Sequence, residues 1–371
     1  MFTGMIRLKK RKGQTMVVHD KISFETDIRG ALDALEKHLN IKQEQKQYGQ
    51  TLELTFKNPT LSGYRVVMIA DTIGKSTGIR ISTMAVRFPR PILSEINTHR
   101  VFSRNSASSR ARSIDTTIAS VMNEPYIPLW TSNQKGMQGK ELETNEEWHT
   151  CNDLWLLARD SAVENALRLM LPVRDYDNIF QPGVDVEEVW ANALKAYSSN
   201  REEHPGVHKQ HVNRIIEPYM WHEALITSTY WQNFEELRVS PKAQPEMQAA
   251  AVLMMAALRL SCPVANEIHS PFIDSRDTSS LNEALLRSAS ACARISYKNS
   301  DDITDNMRIA KTLYREKHMS PFEHFAIERD TFPGIDFDTS NLNPAWVQGR
   351  RILDYAETNP GFMAEIGGEN E

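Results

Sequence analysis

Hydrophobic and polar residues alternate in the first part of the chain in a way that predicts strands. Residues 51–56 alternate strictly, as in a half-exposed strand. Residues 64–70 and 78–88 are apolar and rich in β-branched side chains, and they predict two further strands. Apolar residues at helical spacing over residues 26–41 predict an amphipathic helix before the strands, and the segment 92–96 predicts a helical turn after them.

The remainder of the chain has mainly helical spacing. Apolar stripes over residues 145–170 and 186–197 predict two amphipathic helices. Residues 130–144 show no periodicity and predict a loop between the strands and these helices. Further helices are predicted over 231–238, over 247–260 and over 305–317.

Composition and charge exclude several kinds of partner. The 43 basic and 48 acidic residues nearly balance, so the net charge of −5 gives no reason to expect nucleic acid or an anionic membrane. No apolar run approaches the roughly 20 residues that span a bilayer. Cys151, Cys262 and Cys292 are widely scattered, which predicts a reducing, cytoplasmic environment. Neither these thiols nor His208 and His211 have the spacing of a metal site, so no metal is expected.

The candidate chemistry concentrates in one polar segment, residues 98–111. Its fourteen residues include one imidazole, three guanidiniums, five hydroxyls and one amide, and no acidic side chain. Such a donor-rich, positively charged segment suits a small polyanionic ligand such as a phosphate or pyrophosphate. The alternative is a surface loop rich in Ser and Arg. A predicted strand and a helical turn lead directly into the segment, and this order favours a ligand-binding segment held by a scaffold.

The spacing within this segment resembles the signature of the flavin-dependent thymidylate synthases of the ThyX type. That signature reads Arg-His-Arg, two residues, Ser, one residue, Asn, two residues, Ser, one residue, Arg, Tyr. Thr98, Ser106 and Ala111 depart from it, because they stand where the family usually has Arg, Glu and Tyr. The positions that match are His99, Arg100, Ser103, Asn105, Ser108 and Arg110.

Later segments resemble the same family. Asn233 with Phe234, Leu237 with Arg238, and residues 243–246 match its Asn-Phe, Leu-Arg and Ala-Gln-x-Glu elements, and Arg214 matches an Arg that precedes a Pro. Residues 293–296 and 318–324 match an Ala-Arg-Val-Ser stretch and a His-x-Ser-Pro-x-Glu-His segment. The family places these last two elements before the signature, whereas here they follow it. The resemblance therefore implies a permuted order, which can leave a site intact when the exchanged ends lie close together.

The resemblance implies an α+β fold, with a mostly antiparallel sheet flanked by helices and an added helical subdomain. It divides the chain into an N-terminal extension (1–60), the sheet and signature half of the core (61–135), a helical insertion (136–203) and the helical and C-terminal half of the core (204–371). Family members are homotetramers whose sites form where subunits meet, so a homo-oligomer, specifically a tetramer, is expected.

The implied reaction is the reductive methylation of dUMP, a pyrimidine deoxynucleotide monophosphate, to dTMP. Conventional thymidylate synthesis needs a Cys thiolate held in a positive environment. None of the three Cys residues has such a context in the sequence, so the reducing power would come from a cofactor. The resemblance implies FAD in this role, reduced by NADPH, with methylenetetrahydrofolate as the carbon donor.

Carried over residue by residue, the resemblance also implies a role for individual side chains. Its flavin contacts fall on His99, Arg100, Asn105, Asn233 and Ser320. Its nucleotide contacts fall on Glu95, Ser108, Arg110, Arg214 and Arg238. The candidate catalytic residues are Ser108, Arg238 and, near the isoalloxazine, His318.

The exact substrate stays open at this point. Glu95 stands where the family usually has Gln near the nucleotide, and a carboxylate accepts a hydrogen bond from an exocyclic amine such as cytosine N4. Together with the departures at Thr98 and Ser106, this leaves a related flavoenzyme that acts on dCMP, or that releases a hydroxymethylated product, as the alternative. A non-catalytic relative that binds flavin or nucleotide is the third possibility.

Overall fold

The computed structural model describes residues 39–46, 49–108, 112–135, 139–142, 144–171, 176–181, 183–200, 206–294, 302–337, 341–359 and 361–362. The strands are β1 (Leu39–Lys46), β2 (Gly49–Phe56), β3 (Arg65–Ile73), β4 (Arg80–Pro89), β5 (Ser103–Ser106), β6 (Thr131–Ser132), β7 (Lys140–Glu141), β8 (Trp221–Ser228), β9 (Val264–Ala265), β10 (Ile268–His269), β11 (Ala326–Glu328) and β12 (Trp346–Gln348). The α-helices are α1 (Leu93–Ile96), α2 (Ile114–Asn123), α3 (Asn145–Met170), α4 (Tyr176–Ile179), α5 (Val186–Asn200), α6 (Lys209–Ile216), α7 (Gln232–Arg238), α8 (Pro245–Leu260), α9 (Leu281–Ala293), α10 (Ile303–Arg315) and α11 (Gly349–Thr358).

A seven-stranded sheet organises the fold. Its strands lie in the order β1-β2-β3-β4-β8-β5, and β9 pairs with β3. The pairings along this order are antiparallel, and only that of β9 with β3 is parallel. Strands β2, β3 and β4 confirm the strands predicted over 51–56, 64–70 and 78–88. Because helices pack on this mostly antiparallel sheet, the chain has the predicted α+β fold.

One face of the sheet is apolar and packs on α8. Met84 and Val86 of β4 and Ala224 and Ile226 of β8 alternate with residues on the opposite face, and all four lie in the main core. Helix α8 is buried throughout residues 246–257, as expected for a helix that is apolar on all sides. Each methylene buried here contributes roughly 0.8 kcal/mol to the free energy of unfolding.

A helical subdomain forms a second core beside the sheet. Helices α3 and α5 confirm the helices predicted over 145–170 and 186–197. They pack with α2 and α6 around side chains that include Val163 and Leu167. Trp155 contacts both this core and the sheet core, so the subdomain is fixed against the sheet by apolar packing.

The C-terminal region has a small antiparallel sheet of its own, in the order β10-β11-β12. Its core joins α9, α10 and α11 through side chains such as Leu285, Phe322 and Ile352. Helix α10 begins two residues before the helix predicted over 305–317, because Asp302 accepts hydrogen bonds from two backbone N–H groups of its first turn. This region covers part of the other face of the seven-stranded sheet.

The remaining sequence predictions have mixed outcomes. Helix α1 confirms the turn at 92–96, and α7 and α8 confirm the helices predicted over 231–238 and 247–260. Residues 26–38 of the helix predicted over 26–41 lie outside the described residues. The prediction is wrong for residues 39–41, because they begin β1 and pair with β2. The loop predicted over 130–144 contains the short hairpin of β6 and β7.

The division into four segments stays a prediction, although β1 and β2 join the same sheet as β3. Within the described residues, no helix combines the length and the apolar character needed to cross a membrane.

Candidate functional site

The polar signature segment lies at an edge of the seven-stranded sheet. Strand β4 ends at Pro89, and α1 turns the chain so that β5 pairs antiparallel with β8. Strand β5 is the last strand in the sheet order. The hydroxyl of Thr98 donates to the carbonyl of Glu95 at 2.6 Å, which closes the turn between α1 and the signature. An edge position leaves one side of β5 open to other parts of the chain.

Arg238, at the C-terminal end of α7, joins Glu95 of α1 to Thr98 and His99, the first two residues of the signature segment. Its Nε donates to Nε2 of His99 at 2.9 Å, and its Nη1 donates to Oε2 of Glu95 at 2.8 Å. Its Nη2 donates to the hydroxyl of Thr98 at 3.1 Å. The structure therefore brings Glu95, His99 and Arg238, three predicted site residues, into direct contact.

The ring of His99 is held as a neutral imidazole. It stacks on Phe102 with ring centroids 5.5 Å apart and meets the edge of Phe234 at 4.9 Å. Burial, together with the positive charges of Arg238 and Arg104, lowers the pKa of His99 to about 4. Since Nε2 accepts from Arg238, the ring proton is on Nδ1.

Asn105 of β5 connects the signature to the C-terminal region. Its Nδ2 donates to the carbonyl of Cys292 at 2.7 Å, at the end of α9. Its Oδ1 accepts from the hydroxyl of Ser320 at 3.4 Å. Ser320 begins a short 3-10 helix, Ser320–Glu323. Two predicted flavin contacts from distant parts of the sequence therefore meet in the structure.

A buried amide network that the sequence did not predict supports this contact. The side chain of Gln348 donates to the hydroxyl of Ser103 at 2.7 Å and to the carbonyl of Glu323 at 3.2 Å. Asn341 donates to the same hydroxyl at 3.2 Å. No periodicity distinguishes these amides from exposed ones, and the only signal was that Ser103 belongs to the signature.

The other predicted site residues are more dispersed. Arg100, Asn233 and His318 are exposed, and His318 lies 3.6 Å from the carboxylate of Glu316. No hydrogen bond or ion pair within the described residues joins these three side chains to Arg238.

The predicted nucleotide contacts are likewise spread along the end of the signature. Ser108 is exposed, and Arg110 lies outside the described residues. Arg214 is exposed at the end of α6, where its neighbour Asn213 donates to the carbonyl of Arg112 at 3.4 Å. Arg214 therefore lies close to the end of the signature, whereas Arg238 lies at its start.

A polar cleft of about 270 Å³ opens beside the end of the signature. The backbone N–H of Ala107 donates to the carbonyl of Glu223, a cleft residue, at 2.9 Å. The guanidinium of Arg87 lies over the ring of Trp221 and forms a two-pronged ion pair with Glu124. The lining residues are Arg65, Arg87, Arg112, Ser120, Trp221 and Glu223.

The thiols do not provide a nucleophile at either end of the signature. Cys292 is fully buried, and burial raises its pKa far above the usual range, so it stays protonated. Cys151 is half-buried in α3, and Cys262 is exposed after α8. Among the described residues, no group of three or more His, Cys, Asp or Glu side chains is placed to hold a metal ion.

Comparison with known protein families identifies a family for this chain. Residues 81–264, about half of the chain, match the family model described as thymidylate synthase complementing protein, the family to which the signature pointed. No curated protein sequence matches the chain significantly. The match includes the signature, α7 and the whole of α8, and the segment that carries Ser320 lies beyond its end.

Proposed function

We propose that the chain, which belongs through residues 81–264 to the family of thymidylate synthase complementing proteins, is a flavin-dependent thymidylate synthase that converts dUMP to dTMP. Family membership supports a thymidylate synthase-type function. The observation that carries the finer proposal is the contact of Asn105 with Ser320, which are 215 residues apart in sequence. It joins the signature strand to the Ser-Pro-Phe-Glu-His segment in spite of their permuted order.

The residues that the resemblance assigns to the flavin have suitable chemistry. Ser320, Arg100 and Asn233 are exposed donors, and Asn105 is half-buried at its contact with Ser320. Such a donor set suits the carbonyl and phosphate oxygens of FAD, which would supply the hydride after reduction by NADPH. His99 has only its Nδ1–H left for this purpose, because Arg238 occupies Nε2. In our proposal the protein holds and orients the cofactor at this edge of the sheet.

The nucleotide would lie between Arg238 and the end of the signature. A guanidinium has five N–H donors, so Arg238 keeps donors for a ligand after its bonds to His99, Glu95 and Thr98. Because Glu95 compensates its charge, Arg238 suits a ring carbonyl better than a dianionic phosphate. We assign the phosphate to Arg110 and Arg214, with the hydroxyl of Ser108 as a further donor and methylenetetrahydrofolate as the carbon source.

Glu95 favours one alternative function. Its Oε2 accepts from Arg238 at 2.8 Å, and within the described residues its Oε1 accepts no hydrogen bond. That oxygen suits the exocyclic amine of cytosine. A related flavoenzyme that methylates or hydroxymethylates dCMP, or that makes hydroxymethyl-dUMP, is therefore the second candidate, and a non-catalytic flavin- or nucleotide-binding relative is the third.

The test is a product assay with purified protein. We expect a yellow protein that converts dUMP to dTMP with NADPH and methylenetetrahydrofolate, identified by product mass, and that leaves dCMP unchanged. Turnover of dCMP, or a product heavier by one oxygen, would replace the proposal with the alternative. Flavin or nucleotide binding without turnover of either nucleotide would leave the non-catalytic relative.

We also propose that the protein is a cytoplasmic homotetramer, as the family resemblance implies. Arg238 lies at the start of the signature segment, away from the predicted nucleotide contacts at its end. A neighbouring subunit would bring its own copy of these residues next to them. Light scattering coupled to size-exclusion chromatography should give the mass of four chains. A monomeric mass would contradict a site shared between subunits.

A further inference from the structure

A chain of buried hydrogen bonds crosses from the C-terminal sheet into the seven-stranded sheet. Nδ1 of His269 lies 2.8 Å from the hydroxyl of Thr72, and Nε2 of the same ring lies 2.7 Å from the hydroxyl of Thr83. That hydroxyl lies 2.6 Å from the hydroxyl of Thr227, which lies 2.7 Å from Nδ1 of His324. All five side chains are buried.

Both histidines are neutral at neutral pH. Burial lowers the pKa of His269 and of His324 to about 3. A neutral imidazole has one N–H donor and one acceptor nitrogen, and each hydroxyl has one proton to donate. The donors and acceptors along the chain therefore have to be assigned together.

The bond between the two threonines couples the two rings. If the hydroxyl of Thr83 donates to Thr227, that hydroxyl has no second proton to donate to His269, so Nε2–H of His269 must donate to Thr83. If Thr227 donates to Thr83, Nδ1–H of His324 must donate to Thr227. A protein with every bond made therefore never combines a proton on Nδ1 of His269 with a proton on Nε2 of His324.

Within the described residues, the ring of His324 makes its hydrogen bond to Thr227 alone. Its Nε2 is buried and has no hydrogen-bond partner within the described part of the chain. The ring directly follows the 3-10 helix Ser320–Glu323, whose first residue contacts Asn105. Thr227 pairs across the sheet with Ser103, two residues before Asn105 on β5. The hydroxyl of Thr227 thus links the segment of Ser320 to the strand of Asn105.

We propose that His324, Thr227, Thr83 and His269 are positioning residues that hold Ser320 against Asn105. The proposal rests on the proposed function only in assigning Ser320 and Asn105 to the flavin site. The four residues touch neither ligand and act through the placement of the 3-10 helix. Two of them, His269 and His324, lie beyond the family match, so the C-terminal region would complete a site that the matched segment begins.

The first test uses nitrogen NMR of the imidazoles, which needs no ligand. Two neutral rings are expected, each with a defined tautomer, and the combination excluded above should be absent. Thr227→Val, which keeps the shape but removes the hydroxyl, should also change the tautomer populations of His269, although that ring does not touch Thr227. Detection of the excluded combination of tautomers in the wild type, or unchanged tautomer populations of His269 in Thr227→Val, would overturn the coupling between the two rings.

The second test compares Thr227→Val with Thr227→Ser, which retains the hydroxyl. Loss of one buried hydrogen bond should raise hydrogen exchange of residues 320–324 about tenfold and weaken FAD binding by a similar factor in the Val variant. The Ser variant should stay within about twofold of wild type in both. Equal losses in the two variants would refute a positioning role for the hydroxyl.

The two readouts separate this inference from the proposed function. A wild type that binds no FAD would refute the flavin site, whereas hydrogen exchange and tautomers would still report whether the chain holds the 3-10 helix. FAD binding by the wild type and the Val variant with equal affinity would refute the positioning role alone.

Discussion

The two faces of the seven-stranded sheet are held in different ways. On one face, Met84 and Ile226 pack against α8 through apolar surface alone. On the other face, Thr83 and Thr227 bond to the buried histidines His269 and His324. Apolar contact tolerates small shifts, whereas each buried hydrogen bond requires its partner at one distance and angle. The polar face therefore fixes where the C-terminal region lies, and that region carries Ser320.

Acid should destabilise the protein by the largest amount, through His269 and His324 on the polar face and also through His99 and His222, which pack on aromatic rings of the main core. The pKa of His99 is lowered to about 4, and those of His222, His269 and His324 to about 3, mainly by burial. Each binds a proton near pH 6.5 in the unfolded chain, so stability is full above that pH and falls as the pH drops towards 4. The loss is on the order of 1.4 kcal/mol per pH unit for each histidine.

Urea unfolding at about pH 7 and about pH 5 measures this slope. His269→Asn should reduce the proton uptake on unfolding by about one proton. An unfolding free energy that does not depend on pH between these values would contradict the neutral state of the four rings.

The apolar face should respond to the loss of volume. Leu253 of α8 is fully buried in the main core, and Leu253→Ala should lower the free energy of unfolding by about 2–5 kcal/mol. The matched control is Leu154→Ala in α3, where the side chain is 61% exposed and the change should stay within about 0.5 kcal/mol. Equal effects of the two changes, by urea unfolding, would contradict the assignment of this core.

Arg238 tests the predicted division between nucleotide and flavin contacts. Arg238→Ala removes a charged donor and also leaves Oε2 of Glu95 and Nε2 of His99 without their partner. Nucleotide affinity should fall by about ten- to a hundredfold, as for hydrogen bonds to charged groups, with little change in flavin retention. Calorimetry for the nucleotide and absorbance for the flavin measure the two, and equal losses would refute the division.

Glu95 tests base selection with a smaller effect. Glu95→Gln keeps the shape and replaces an acceptor oxygen with a donor amide. If the side chain selects the base, preference should move from cytosine towards uracil by about ten- to a hundredfold, the discrimination of roughly 1–3 kcal/mol expected of a base-edge contact. Competition between dUMP and dCMP is the measurement, and unchanged selectivity would remove Glu95 from base recognition.

The smallest effect concerns the backbone just before His318. Lys317 has a φ of +59°, which favours glycine at the end of a helix. Lys317→Gly should raise the free energy of unfolding by roughly 0.5–1 kcal/mol, because its exposed ion pair with Glu357 contributes little. Lys311→Gly, inside α10, should lower it by about 1 kcal/mol. Thermal unfolding measures the stability of both variants. A stabilising Lys311→Gly or a destabilising Lys317→Gly would contradict the positive φ of Lys317 at the end of α10.

Sequence patterns predicted the apolar face far better than the polar one. The strands over 51–56 and 78–88 and the helix over 247–260 follow from periodicity, which reflects burial alone. The partners of Thr227 and Ser103 could not be predicted, because His324 and Gln348 come from distant parts of the chain and their pairing depends on the tertiary structure. The end of the helix predicted over 26–41 was wrong because pairing with a neighbouring strand overrode local spacing.

The candidate site shows the same division. The family resemblance identified Glu95, His99 and Arg238, which the structure brings together. The sequence did not predict that Arg238 would be engaged by Glu95, His99 and Thr98 at once, because such a contact needs the three-dimensional arrangement of α1 and α7.

Titration of the purified protein with FAD, followed by visible absorption, tests most directly whether the signature strand and the C-terminal region form one flavin site. We expect saturable binding of one FAD per chain, with shifted flavin bands, and loss of that binding in the double variant Asn105→Ala with Ser320→Ala. A protein that is colourless as purified and leaves the flavin spectrum unchanged throughout the titration would contradict it.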